Sequence, residues 1–147
     1  MMKSTETANT ISKLKKSFHD FGHRFTNQRE SIWRLFNRVP KGMTIPEAAD
    51  TLKKEGIGHA TVYRTVKTLQ QLGHLHRVHE QSGEHRFVAR RAPHSHMLVC
   101  RLCGQMVEFE SCDLTVLEKL LEVETGYNIE GHELELSGLC PQCPISN

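Results

Sequence analysis

Apolar positions recur three and four residues apart through the first seventy residues and then change to the alternation of strands. Ile11, Leu14, Phe18 and Phe21 predict a helix over 11–21 that Gly22 ends. The polar residues 1–10 ahead of it are expected to be disordered. A second helix is signalled by Thr26 as N-cap, with Arg29 and Glu30 in its first turn. Ile32, Trp33, Leu35 and Phe36 are its buried face, and Pro40-Lys-Gly42 breaks it. Thr44 caps a third, with Pro46 and Glu47 in the first turn, Ala48, Ala49 and Leu52 turned inward, and a stop at Gly56. The fourth follows Gly58, from His59 to about Leu72, with Ala60, Val62, Val66, Leu69 and Leu72 toward the core and Gly73 as its end.

That fourth helix leaves Thr61, Tyr63, Arg64, Thr65, Lys67 and Thr68 on faces that packing does not claim, the pattern of a recognition helix in a helix-turn-helix. The runs Leu75–His79 and His85–Ala89, joined by Gln81-Ser-Gly83, then read as a hairpin. Helices followed by a hairpin suggest a winged helix over 11–89; the competing reading is an all-α cap with solvated charges. Arg90-Arg-Ala-Pro93 places a hinge at 90–94. From 95 to 147 the pattern gives strands at Met97–Cys100 and Met106–Phe109, then a helix capped by Asp113. Leu114, Leu117, Leu120 and Leu121 line that helix until Gly126, and a last strand runs from His132 to Ser137 after the turn Glu130-Gly131. The fold class is α+β.

Charge divides the chain at the same place. Residues 1–93 hold 17 Lys and Arg against 8 Asp and Glu, and residues 94–147 hold 2 against 9, although the whole is only +2. A basic first part suits a polyanion such as DNA, and an acidic second part rich in Cys and His suits a cation. No apolar run approaches the ~18 residues of a membrane span, and the start is too polar for a signal peptide, so a cytoplasmic protein is expected, without a membrane partner.

In that compartment the five cysteines read as ligands or redox groups before disulfides. Cys100-x-x-Cys103 and Cys140-x-x-Cys143 can offer four thiolates to one structural Zn²⁺, joining the two ends of the second domain across the 36 residues between the pairs. A redox dithiol or merely neighbouring thiols are the rivals, but neither pair opens a helix after a strand as a thioredoxin motif does. Cys112 is either a small apolar residue or a spare ligand. His94 and His96 alternate on an extended segment, His132 heads the last strand, and Glu108 sits in the strand between them. Such a set suits a second, exchangeable divalent metal, Zn²⁺, Fe²⁺ or Mn²⁺. His76 and His85 of the hairpin are further candidate ligands. No His-x-Glu followed by Pro-Cys-x-x-Cys and no His-Glu-x-x-His is present, so the zinc deaminase and zincin readings fail.

Four motifs in order resemble one family across residues 11–143: Arg24-Phe-Thr26-x-Gln28-Arg29, Ala60-Thr-Val-Tyr-Arg64, His94-x-His96 leading into Cys100-x-x-Cys103-Gly-x-x-Val-Glu-Phe109, and Gly138-x-Cys140-x-x-Cys143. The chain is similar to the ferric uptake regulator superfamily of metal-responsive repressors. The resemblance implies an N-terminal winged helix-turn-helix domain, a small C-terminal α/β dimerisation domain, and a homodimer on double-stranded DNA with a palindromic, A/T-rich operator. It implies DNA contacts at Tyr63 and Arg64 and structural zinc on the four cysteines. Arg24, Thr26, Gln28, Arg29, His59, Thr61 and Lys67 are grouped with Tyr63 and Arg64 as expected DNA contacts.

Departures from the family pattern leave the subclass open. Where the family's hinge sensor has its ligands, this chain has Met43, Val88, Ser95 and Met97. His94, His96 and His132 match the family's other site, whose usual fourth ligand, a Glu, corresponds to Thr115; His76 resembles a wing ligand of its zinc-sensing branch. A sensor of zinc, iron or manganese is expected. A peroxide-responsive member, or a zinc protein or enzyme that binds no DNA, is the alternative.

Overall fold

The computed structural model describes residues 2–80 and 82–143. Residues 144–147 of the expected second domain and Gln81 of the expected hairpin turn lie outside them. The chain divides into two compact units, Met1–Ala89 and Arg90–Asn147.

In the first unit α1 (Met2–Asp20), α2 (Asn27–Arg38), α3 (Ile45–Leu52) and α4 (His59–Gln71) precede the hairpin of β2 (Leu75–His79) and β3 (His85–Ala89). The expectation of disorder over residues 1–10 is corrected for 2–10, because α1 begins at Met2. That stretch holds neither Gly nor Pro, and a helix once nucleated by Ile11, Leu14 and Phe18 gains a hydrogen bond for each residue added. Phe21 falls beyond the helix and is exposed. The caps are local chemistry. Thr26 accepts from the Arg29 N–H at the start of α2, and Thr44 and Glu47 form a reciprocal capping box on α3.

One core unites this unit, formed by Leu14 and Phe18 of α1, Ile32, Trp33 and Phe36 of α2, Leu52 of α3, Val62, Val66 and Leu69 of α4, and Leu75 and Phe87 of the hairpin. Each large side chain fully buried there contributes about 1.5–3 kcal/mol. Two expectations for α4 change: Ala60 is exposed, while Thr65 and Thr68 are buried. Thr68 can be buried because its hydroxyl donates to the Arg64 carbonyl one turn back, at 2.9 Å.

A two-residue strand, β1 (Met43–Thr44), extends the hairpin to a sheet of order β1-β3-β2. Gly42 enters it with φ +68°, and a Cβ there would stand 2.3 Å from the Phe87 carbonyl oxygen, so only glycine lets the chain approach β3 this closely. Arg86 of β3 clamps the sheet to the start of α3, donating to the Gly42 carbonyl at 2.9 Å and to both oxygens of Glu47. Three helices, a further helix and a three-stranded wing make this unit a winged helix.

The second unit is a sheet of order β5-β4-β6, with β4 (His96–Cys100), β5 (Met106–Phe109) and β6 (Glu135–Gly138), and α5 (Thr115–Thr125) between β5 and β6. Asp113 bonds the Thr115 N–H at 3.1 Å, but the capping position is Leu114. The last strand starts at Glu135, three residues later than the alternation suggested. Because β6 pairs with β4 in parallel, the chain must cross over through α5 before returning. That crossover brings residues after β5 and before β6 to the start of β4, and residues after β6 to its end. Among the described residues of this unit only Ser95, His96, Met97 and Cys100 are buried, too few for a core of its own.

Candidate metal centres and nucleic-acid face

At the end of β4, Cys100 pairs with Gly138 in the parallel register, and the Arg101 N–H donates to the Gly138 carbonyl at 2.9 Å. Cys140 and Cys143 are thereby carried onto the Cys100–Cys103 turn, which closes through the Gly104 N–H on the Cys100 carbonyl, 2.9 Å, with Gly104 at φ +73°. Four sulfurs bound about 2.3 Å from one ion at tetrahedral corners stand about 3.8 Å apart. Cys100 and Cys143 are 3.8 Å apart at Sγ, and Cys103 and Cys140 are 3.7 Å apart. No disulfide links them, and the donor set fits zinc.

Charge in the metal-free cluster is uneven. Backbone N–H groups of Cys103 and then Cys140 hold the Cys100 thiol down to about 6. Hydrogen bonding to Cys140, followed by burial and the Cys103 side chain, pushes Cys143 up to about 12. The Cys100 thiolate forms readily and Cys143 resists ionising, so full deprotonation calls for a cation at the centre.

At the start of β4 the structure brings together His94, His96 and His132, with Cys112 as a fourth member, all ligand atoms within 4.8 Å of one another. The His96 Nε2 atom stands 3.3 Å from the Nε2 atoms of both His94 and His132. Imidazoles bound to one ion at about 2.0–2.1 Å would give the same spacing, about 3.3 Å. The His132 Nδ1 faces Glu118 Oε1 at 2.7 Å. Burial first, then the neighbouring His94 and His132 rings, lower the pKa of His96, which favours the neutral form that binds metal. This centre and the cysteine centre lie four residues apart on one strand, about 13 Å.

The remaining candidate ligands lie elsewhere. Glu108 accepts from the Arg91 and Ala92 N–H groups at 3.0 and 3.4 Å and from the Ser95 hydroxyl, tying segment 91–95 to β5. Its carboxylate braces the strand that carries the histidines. His76 is buried on β2 opposite Val88, and His85 on β3 packs edge-on against His79, centroids 4.9 Å apart. Thr115 turns its hydroxyl to Asp113, 2.7 Å. Cys112, expected to be either a small apolar residue or a spare ligand, joins the histidine cluster. The signal that could have placed it is the distance of three residues from the end of β5, enough to return the chain past His96, whose partner across the sheet is Phe109.

On the first unit α4 presents His59, Tyr63 and Arg64 to solvent, with Tyr63 48% exposed. Thr61 is half-buried beside them, and the Lys67 ammonium lies over the Tyr63 and Phe87 rings at 5.7 and 5.8 Å. Arg24 and Gln28 are exposed near the start of α2, where Thr26 serves as the cap. Arg29 donates to the Arg24 carbonyl at 2.6 Å and lies over Phe18 at 5.2 Å, so its guanidinium holds the entry to α2 in place.

A winged helix followed by a small α/β unit with two clusters of metal-ligating side chains defines a class of metal-responsive regulators rather than enzymes. The model of the Ferric uptake regulator family matches residues 20–137, and the chain belongs to that family. The ferric uptake regulation protein of Bacillus subtilis is 32% identical over 141 residues, covering 92% of this chain and 95% of that protein. That of Neisseria meningitidis serogroup B is 31% identical over 141 residues, covering 94% of this chain and 95% of its own. Among solved structures, the Vibrio cholerae ferric uptake regulator is similar at TM-score 0.56 and 26% identity, covering 86% of this chain and 98% of that one. A zinc uptake regulator complexed with zinc and DNA shares the fold at TM-score 0.74 and 22% identity, covering 93% of this chain and 94% of its own. No helix among the described residues is long and apolar enough to cross a membrane.

Proposed function

We propose that the protein is a metal-dependent, DNA-binding transcriptional repressor of metal-homeostasis genes, acting in the cytoplasm as a homodimer on a palindromic, A/T-rich operator. Cys100, Cys103, Cys140 and Cys143 hold a structural Zn²⁺. His94, His96 and His132 hold a second, exchangeable divalent ion, Zn²⁺, Fe²⁺ or Mn²⁺, whose binding sets the affinity for DNA. The observation that carries the reading is the placing of two ligand clusters at opposite ends of β4, in a unit joined to a winged helix that exposes Tyr63 and Arg64. Phosphates and base edges of a duplex are the chemistry those residues and the basic residues of the first unit suit.

Dimerisation is supported by α5, which buries none of its own residues and leaves Leu117 and Leu120 51% and 56% exposed. A second copy of the unit would cover that face. A gel shift on a palindromic A/T-rich duplex, with and without Zn²⁺, Fe²⁺ or Mn²⁺, tests the function: retardation that depends on one of these ions is expected, and no binding under any of them refutes it.

A further inference from the structure

The second centre holds a thiol as well as imidazoles. Cys112 is half-buried, and its Sγ lies 3.2 Å from His132 Nε2. The protons of the rings decide what that contact means. Glu118 Oε1 at 2.7 Å fixes the hydrogen of His132 on Nδ1, leaving the Nε2 lone pair directed at His96 Nε2 and Cys112 Sγ. His96 brings its Nε2 atom to the same point, 3.3 Å from those of His94 and His132. Three Nε2 atoms and one Sγ thus converge, all within 4.8 Å of one another. Neutral imidazoles converging in this way can all turn a lone pair to one shared cation. A carboxylate on the second ring nitrogen, as Glu118 supplies to His132, is a usual companion of a metal-binding histidine.

The fourth position is open to few other groups. Glu108 is committed to the backbone of Arg91 and Ala92, Thr115 to Asp113, and among the described residues no carboxylate joins the cluster. Resting on the reading of this cluster as the regulatory site, we propose that Cys112 is its fourth ligand. The centre is then a three-histidine, one-thiolate tetrahedron that selects Zn²⁺ over Mn²⁺ and Fe²⁺, with Glu118 as the residue that positions His132. On binding, the Cys112 thiol releases its proton to solvent and its sulfur forms the bond to the ion. A thiolate favours zinc over the harder ions that carboxylate sets accept, and four strong ligands without an open position suit sensing rather than catalysis.

The test uses full-length protein whose cysteine centre already holds one zinc per chain, with retention of that zinc followed by native mass spectrometry. Titrated with Co²⁺, the second centre should show intense tetrahedral d–d bands together with a sulfur-to-cobalt charge-transfer band. Cys112→Ser should lose the charge-transfer band and lower the zinc affinity by more than about tenfold, with a smaller effect on Mn²⁺. Cys112→Ala gives the same readings if serine perturbs folding. Glu118→Gln should keep the sulfur band while lowering affinity by about 10–100-fold, as loss of an outer partner does. If cobalt binds with histidine bands alone, or the Cys112 variants leave spectrum and affinity unchanged, the thiolate assignment is wrong and the three-histidine reading stands. If wild-type protein takes up no second cobalt, the regulatory-site reading itself falls.

Discussion

Tyr63 and Arg64 are exposed on a helix whose other face is closed into the core, so a substitution there removes a contact without removing packing. Tyr63→Ala or Arg64→Ala should weaken operator binding by about 1–3 kcal/mol in fluorescence anisotropy, with melting temperature unaltered. Unchanged affinity would mean that another surface reads the duplex. His96, only 3% exposed, gives a residue-scale prediction of another kind. Its folded pKa is lowered by burial and by His94 and His132, while an unfolded histidine titrates near about 6.5. Above that pH the group contributes no difference. As pH falls below it, the unfolded chain takes up a proton that the folded state resists, so stability declines until the folded pKa is passed. Metal-free protein should therefore be less stable in urea at pH 5.5 than at pH 7.5, and His96→Gln should flatten the slope. Equal slopes would show that His96 is not the group responsible.

At the scale of elements, the helices were legible because their signals are local. Thr26, Thr44 and Glu47 cap as the sequence suggests, and Ile32, Trp33, Phe36, Val62, Val66 and Leu69 keep the spacing of a buried face. What depends on tertiary pairing was not. β1 is two residues long and exists only because β3 lies beside it, and Thr65 and Thr68 look solvent-facing until the core closes over them. The parallel return of β6 beside β4 cannot be read from alternation, yet it assembles both clusters of candidate ligands. Cys112 illustrates the consequence, since its neighbours are 20 residues away in His132 and 16 away in His96. Gly42 allows the β1 pairing to be tested. Gly42→Ala places a methyl against the Phe87 backbone at positive φ and should cost at least about 2 kcal/mol by denaturant unfolding. A cost below about 0.5 kcal/mol, the range of ordinary surface substitutions, would contradict the register assigned to β1 and β3.

The whole molecule pairs a unit with a full apolar core and a unit nearly without one. The first is held by side chains from every helix and from the hairpin. The second buries four described residues and exposes Val116, Leu117, Leu120, Val123 and Tyr127, a face that the proposed second copy would cover, while the proposed metal ions would add stability that its small core does not supply. Leu117→Glu combined with Leu120→Glu should shift the protein from dimer to monomer in analytical ultracentrifugation and abolish cooperative binding to a palindrome. A dimer that survives both changes would place the interface on another face. The same division runs through the charge pattern: residues 1–93 carry 17 Lys and Arg against 8 Asp and Glu, and residues 94–147 carry 2 against 9.

In the proposed regulator, occupancy of the histidine centre, separately from the cysteine centre, governs DNA binding. This dependence is tested most directly by anisotropy on a labelled palindromic A/T-rich duplex as zinc is raised from one to two equivalents per chain, alongside His96→Ala. Weak binding is expected at one equivalent, tight binding at two, and weak binding throughout for His96→Ala with its first zinc retained. Equal affinity at one and two equivalents, or a wild-type titration from His96→Ala, would contradict it.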